Sequence, residues 1–176
     1  MEYWQDLWRH PATTEAISRG DRFVVQETAR VLPRGGRVVD AGCGIAATVH
    51  GLARAGFDAH GIDYAEETIS TVRALHPDLQ LEVADVRALP FDNGSLDGVW
   101  SLGVIEHFYE GFDPLIAEAH RVLRAGGYLF LTVPVISPLK AFKISLGTFP
   151  DFDETQREHF FQFAFRPQYV TEVVSG

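Results

Sequence analysis

Three aspartates close short runs of strand-like sequence: Asp40 after Arg37-Val38-Val39, Asp63 after residues 58–62, and Asp85 after residues 79–84. Directly behind the first comes Asp40-Ala41-Gly42-Cys43-Gly44-Ile45-Ala46-Ala47, whose small residues let a ligand approach the backbone at a helix N-terminus. Gly42, Gly44 and Ala47 satisfy the dinucleotide pattern G-x-G-x-x-G/A, with Asp63 near the expected distance for a ribose-binding acid, so NAD is one candidate ligand. Carboxylates grouped around one crevice repel a pyrophosphate. They suit a cation that also carries a ribose diol, because carboxylates accept hydrogen bonds from vicinal hydroxyls and from ammonium groups. S-adenosylmethionine has both features. His107 adds a candidate general base, since an unperturbed imidazole titrates near neutrality.

The elements that must position these residues follow from periodicity. Residues 21–32 place Val24, Val25, Thr28, Ala29, Val31 and Leu32 at helical spacing before Pro33-Arg34-Gly35-Gly36 stops the run. Strands are expected at 37–40, 58–62, 79–84, 96–101 and 128–133, and helices between them at 45–56 and 65–75. A further helix is expected with Asp113 as cap, Pro114 at its first position and Gly126-Gly127 closing it. Strands alternating with helices make an α/β, doubly wound parallel sheet, which binds ligands beyond the carboxyl ends of its strands.

With 176 residues the chain is one domain long and can bury about 70% of its unfolded surface. Its 15 Lys+Arg against 24 Asp+Glu give a net charge of −9, which disfavours nucleic acid as a partner. The single cysteine forms no internal disulfide, no leader is recognisable, and the apolar runs are too short to cross a bilayer, so a cytoplasmic location is expected.

Val38-Val39-Asp40-Ala41-Gly42-Cys43-Gly44 resembles the first motif of class I S-adenosylmethionine-dependent methyltransferases, of the type-11 or quinone-biosynthesis-like small-molecule group. Gly61-Ile62-Asp63-Tyr64 resembles the second motif and Ala84-Asp85-Val86 the third. Residues 97–108, with Ile105-Glu106-His107, resemble the fourth, and Arg121-Val122-Leu123-Arg124-Ala125-Gly126-Gly127 the fifth. The resemblance implies a Rossmann-like sheet of order 3-2-1-4-5, with the family's usual sixth and seventh strands absent. It implies S-adenosylmethionine as cofactor, S-adenosylhomocysteine as product, and methyl transfer to an oxygen, nitrogen or carbon of a small acceptor. The cofactor contacts it implies are Asp40, Ala41, Gly42, Cys43, Gly44, Asp63, Tyr64, Asp85, Val86, Ser101 and Leu102, with no metal. A module that holds the cofactor without turnover is the alternative, and an NAD-dependent oxidoreductase a lesser one.

Ala46 stands where many members carry a third glycine. Residues 1–20, with Tyr3, Trp4 and Trp8, are expected to form a flap, and residues 21–135 the cofactor core. Residues 136–176 form an aromatic-rich cover: seven of the 13 phenylalanines fall between Phe142 and Phe165. The cover either walls an apolar or mixed acceptor pocket or packs over the sheet edge. The 128–133 strand, left as an apolar edge, is expected to pair with a second copy.

Overall fold

A computed structural model describes residues 21–148 and 161–175, together with Glu15 and Ile17. The expected flap, with Tyr3, Trp4 and Trp8, lies outside the described residues. The chain runs α1 (Arg22–Val31), β1 (Arg37–Ala41), α2 (Ala47–Arg54), β2 (Asp58–Asp63), α3 (Glu66–Leu75), β3 (Gln80–Val83) and β4 (Leu96–Leu102). A 3-10 turn (Ile105–His107) precedes α4 (Asp113–Val122), β5 (Leu123–Thr132), α5 (Pro138–Ser145) and α6 (Pro167–Ser175). All sheet pairings are parallel, and the strand order is β3-β2-β1-β4-β5, as expected. Among the described residues no helix is long and apolar enough to cross a membrane.

Alternation along each strand sorts side chains to two faces. On one, Val38 and Trp100 join Val24, Val49, Leu52 and Ile69 of α1 to α3. On the other, Val39, Ala41, Ile62 and Val99 meet Ala119 and Val122 of α4. Asp21 caps α1, accepting from the amides of Phe23 at 2.9 Å and Val24 at 3.1 Å. Trp100 stacks on Phe130 at 4.3 Å, and its indole N–H donates to the Thr28 hydroxyl at 2.9 Å. Thr28 is fully buried and in turn donates to the Val24 carbonyl at 2.7 Å. Thr28→Val keeps the shape and orphans the Trp100 N–H, so a loss of about 1–3 kcal/mol is expected in urea unfolding. A midpoint equal to the parent's would mean that the indole finds another acceptor.

Two expectations about α4 need correction. Asp113 is the first helical residue rather than the cap; Phe112 occupies the cap position, with no side-chain bond to the helix, and Pro114 follows Asp113. Nor do Gly126-Gly127 close the helix, which ends at Val122 and passes straight into β5. The reason is tertiary: the Gly94 amide donates to the Arg121 carbonyl at 2.9 Å, satisfying a helix end that a glycine would otherwise cap. Leu123 already pairs with Leu96, whereas the next pairing is Gly98 with Tyr128, so residues 124–127 bulge out of the ladder. Arg124 fastens that bulge to Asp97 at 2.6 Å.

Candidate functional site

The loop between β1 and α2 is built from backbone conformations that side chains resist. Gly42 has φ +95°, Gly44 φ +50°, and Ala46 φ +61°, the one non-glycine in the left-handed region among the described residues. The methyl group at Ala46 therefore sits where a glycine would be unstrained, which accounts for the glycine at this place in the resembling motif. Val104, arriving from beyond β4, presses on the loop: a Cβ at Gly42 would stand 2.5 Å from its Cγ2.

Asp63 latches this loop. Its carboxylate accepts from the Gly44 amide at 2.8 Å and the Ala65 amide at 2.9 Å, while the Gly42 and Cys43 amides both donate to the Ile62 carbonyl, at 2.7 and 3.0 Å. Each carboxylate oxygen keeps a further lone pair for an incoming donor. Asp40 lies opposite Gly61 in the β1–β2 ladder, 2% exposed, and its Oδ1 has no hydrogen-bond partner. Burial pushes its pKa up to about 7 against the pull of the Thr48 hydroxyl, and the nearby charges of Asp63 and Asp21 raise it further. Burial, with the nearby charges of Asp40 and Asp63, also holds the Cys43 thiol well above its ordinary range.

The structure thus brings Asp40, Gly42, Cys43, Gly44 and Asp63 together at the carboxyl ends of β1 and β2, with exposed Tyr64 next to Asp63 and half-buried Leu102 packed against the cluster that holds Cys43. It sets Ala41 and Ser101 apart. Both belong to the α4 face, where they line a cavity of about 10 Å³ with Val86, Val99 and Ile105. That is room for roughly one water, and the Ser101 hydroxyl is buried there without a protein partner. Asp85 is exposed, and Arg87 two residues on grips it, donating at 2.9 Å through Nε and holding its carboxyl below the ordinary range. His107 sits in the 3-10 turn, its Nδ1 2.7 Å from the Phe161 carbonyl. Beside it Glu106 is 4% exposed, with one oxygen unpartnered and its pKa raised by burial.

Sequence reasoning passed over Thr48 and Val104. Thr48 was detectable as a lone hydroxyl entering an otherwise apolar helix start. Val104 carried no signal, because its importance lies in a contact with a residue 62 positions away. Among the described residues no group of three or more His, Cys, Asp or Glu is placed to hold a metal ion.

Comparison with known proteins settles the family. The model of a methyltransferase domain, type 11, matches residues 39–131, from within β1 to the end of β5. The chain belongs to this family. A 27-O-demethylrifamycin SV methyltransferase of Amycolatopsis mediterranei is 32% identical over 152 residues, covering 79% of this chain and 53% of that protein. A fatty-acid O-methyltransferase of Mycolicibacterium smegmatis is 35% identical over 102 residues, or 56% of this chain and 37% of its own. In fold, the methyltransferase domain matches a SAM-dependent methyltransferase of Methanosarcina mazei with a TM-score of 0.70, at 20% identity over 85% of this chain and 82% of that one. The domain spans about a third to a half of the length of the curated relatives it matches.

S-adenosylmethionine is the cofactor that membership of this family implies. The residues present fit it. A buried carboxylate oxygen without a partner at Asp40 asks for a cationic donor, and Asp63 holds the small-residue loop beside it.

Proposed function

We propose that this domain transfers a methyl group from S-adenosylmethionine to an oxygen, nitrogen or carbon of a small-molecule acceptor. The observation that carries the reading is the unpartnered, buried Oδ1 of Asp40 beside the loop latched by Asp63. Asp40 would take the ammonium group, Asp63 the ribose hydroxyls, and the backbone at Gly42, Cys43 and Gly44 would lie along the ligand. Tyr64 would flank the adenine, with Val86 packing beneath it from the α4 side, and Asp85 would reach the adenine only by sharing its carboxylate with Arg87. Ala41, Ser101 and Leu102 would act from behind, as floor and packing. The cofactor, when bound, supplies a methyl group on a sulfonium that needs no further activation, so holding the acceptor in line and excluding water supply much of the rate. His107 would remove a proton from an acceptor that must lose one.

An apolar or mixed acceptor is favoured by the wall next to His107. Ile105, Phe112, Leu115 and Phe165 form a buried cluster there, with Phe108 and Phe163 packed against it. Two relatives, named for a rifamycin derivative and for fatty acids, act on ligands of that character. The same cluster takes in Leu131 and Val133, so the aromatic cover also packs on the β5 side of the sheet. β5 is an edge strand with Tyr128 43% exposed, and pairing of two copies along it is part of the proposal.

Calorimetric titration with S-adenosylmethionine, S-adenosylhomocysteine and NAD in parallel tests the reading. Binding of the two adenosyl ligands and not NAD is expected, followed by turnover in an acceptor screen. Binding of NAD alone would overturn it, and adenosyl binding with no turnover of any acceptor would leave a cofactor-holding module.

Asp40 makes that binding depend on pH. An acid with a raised folded pKa keeps its proton longer in the folded state, so ionising it costs stability as pH climbs from its ordinary value of 3.8 to about 7. The loss amounts to roughly 4 kcal/mol at most across that window. An ammonium ligand favours the carboxylate, so affinity for S-adenosylmethionine should rise by up to about tenfold per unit below pH 7 and level off above it. Asp40→Asn should flatten both profiles in calorimetry and urea unfolding. A parent profile that is already flat would show that Asp40 is not the group that meets the ligand.

A further inference from the structure

The mechanism asks only that His107 be a base; the structure shows what holds it. Residues 161–165 run beside the chain that leaves β5, with Val135 paired in parallel to Phe165. The Phe165 amide donates to the Pro134 carbonyl at 2.8 Å, and the Ile136 amide to the Phe165 carbonyl at 2.9 Å. Thus anchored, the segment reaches the 3-10 turn at two points: the Phe163 amide donates to the Glu106 carbonyl at 2.8 Å, and the Phe161 carbonyl lies 2.7 Å from His107 Nδ1. The Phe161 ring meets the imidazole edge to face at 5.2 Å.

A carbonyl oxygen can only accept, so Nδ1 must donate. In a neutral imidazole with its proton on Nδ1, the lone pair is on Nε2, and the bond made by one nitrogen fixes the role of the other. We propose that residues 161–165 are the positioning element of His107: the Phe161 carbonyl fixes its tautomer and the Phe163 amide fixes the turn that carries it, so that Nε2 is the basic atom of the site. This deepens the reading of His107 as the base and rests on it. It also couples two parts of the chain that the sequence keeps 54 positions apart. The acceptor wall and the aim of the base become one device, and a change in the cover alters the base as well as the pocket. Among the described residues, charged groups near the turn include Glu106, next in the chain, and Arg87, whose guanidinium lies 5.5 Å from the centre of the Phe108 ring.

The tautomer is read directly from two-bond proton–nitrogen correlations of the full chain labelled with 15N, with His107→Asn assigning the signals. At a pH where the ring is neutral, Nδ1 is expected in the pyrrole-type range and Nε2 in the pyridine-type range. The opposite pattern, or an even mixture, would overturn the proposal. Phe163→Pro deletes the amide that holds the Glu106 carbonyl and should abolish the single-tautomer signature. An unchanged signature in a folded Phe163→Pro protein would remove the segment from its role. Should that variant not fold, Phe165→Pro, which frees the segment from Pro134, carries the same expectation. Turnover of His107→Asn tests the base separately: unchanged turnover would dismiss His107 as the base while the nitrogen spectra still report whether residues 161–165 set its tautomer.

Discussion

Asp63→Ala is expected to weaken S-adenosylmethionine binding by at least about a hundredfold, because one substitution removes both the acceptor proposed for the ribose and the latch on the loop. The carboxylate holds the Gly44 and Ala65 amides at 2.8 and 2.9 Å, and hydrogen bonds to a charged partner contribute about 1.5–3 kcal/mol each. Residue 63 is only 8% exposed, so the released amides gain little from solvent. Asp63→Asn keeps one acceptor oxygen and should fall between the parent and Asp63→Ala. Calorimetry decides the matter. Binding by Asp63→Ala within about threefold of the parent, a difference under 1 kcal/mol, would mean that the ribose is held elsewhere.

Gly42→Ala should cost stability and binding together. The new methyl group would stand 2.5 Å from Val104 Cγ2 at a residue with φ +95°, so steric overlap and backbone strain act at once. Overpacking costs about 1–3 kcal/mol and a disfavoured backbone a similar amount. A combined loss of about 3 kcal/mol or more in urea unfolding is expected. Val104→Ala in the same chain should return the steric share and leave the conformational share, giving a clear coupling in a double-mutant cycle. Additive effects of the two substitutions would show that Val104 swings aside freely.

What the sequence disclosed about this site was local. Gly42 and Gly44 announce left-handed turns by residue type, and Asp40 announces a strand end because the run before it is short and β-branched. The separation of Ser101 from Asp40 was not legible: Ser101 is two residues beyond Val99, on the α4 face, and Asp40 two beyond Val38, on the other, but only the register between β1 and β4 tells which face each strand's alternation serves. Gly126-Gly127 misled for a physical reason. A glycine pair closes a helix only when nothing else satisfies its last carbonyls, and here the Gly94 amide does so from a turn far back in the chain. The partner of His107 Nδ1 is a backbone carbonyl, and a carbonyl is common to every residue. No side-chain pattern could have singled out Phe161 for that contact.

Cys43 makes the cofactor loop observable in time. It is the chain's only cysteine, 8% exposed, and its thiol is held well above the ordinary range, so in the closed loop it is both shielded and poorly nucleophilic. A thiol reagent can therefore react only through molecules whose loop has opened, and the labelling rate measures the free energy of that opening rather than the stability of the whole domain. A ligand that binds at Asp40 and Asp63 as proposed is expected to slow the reaction in proportion to its saturation. The sulfur thus serves as a clock built into the loop, without adding a probe to it.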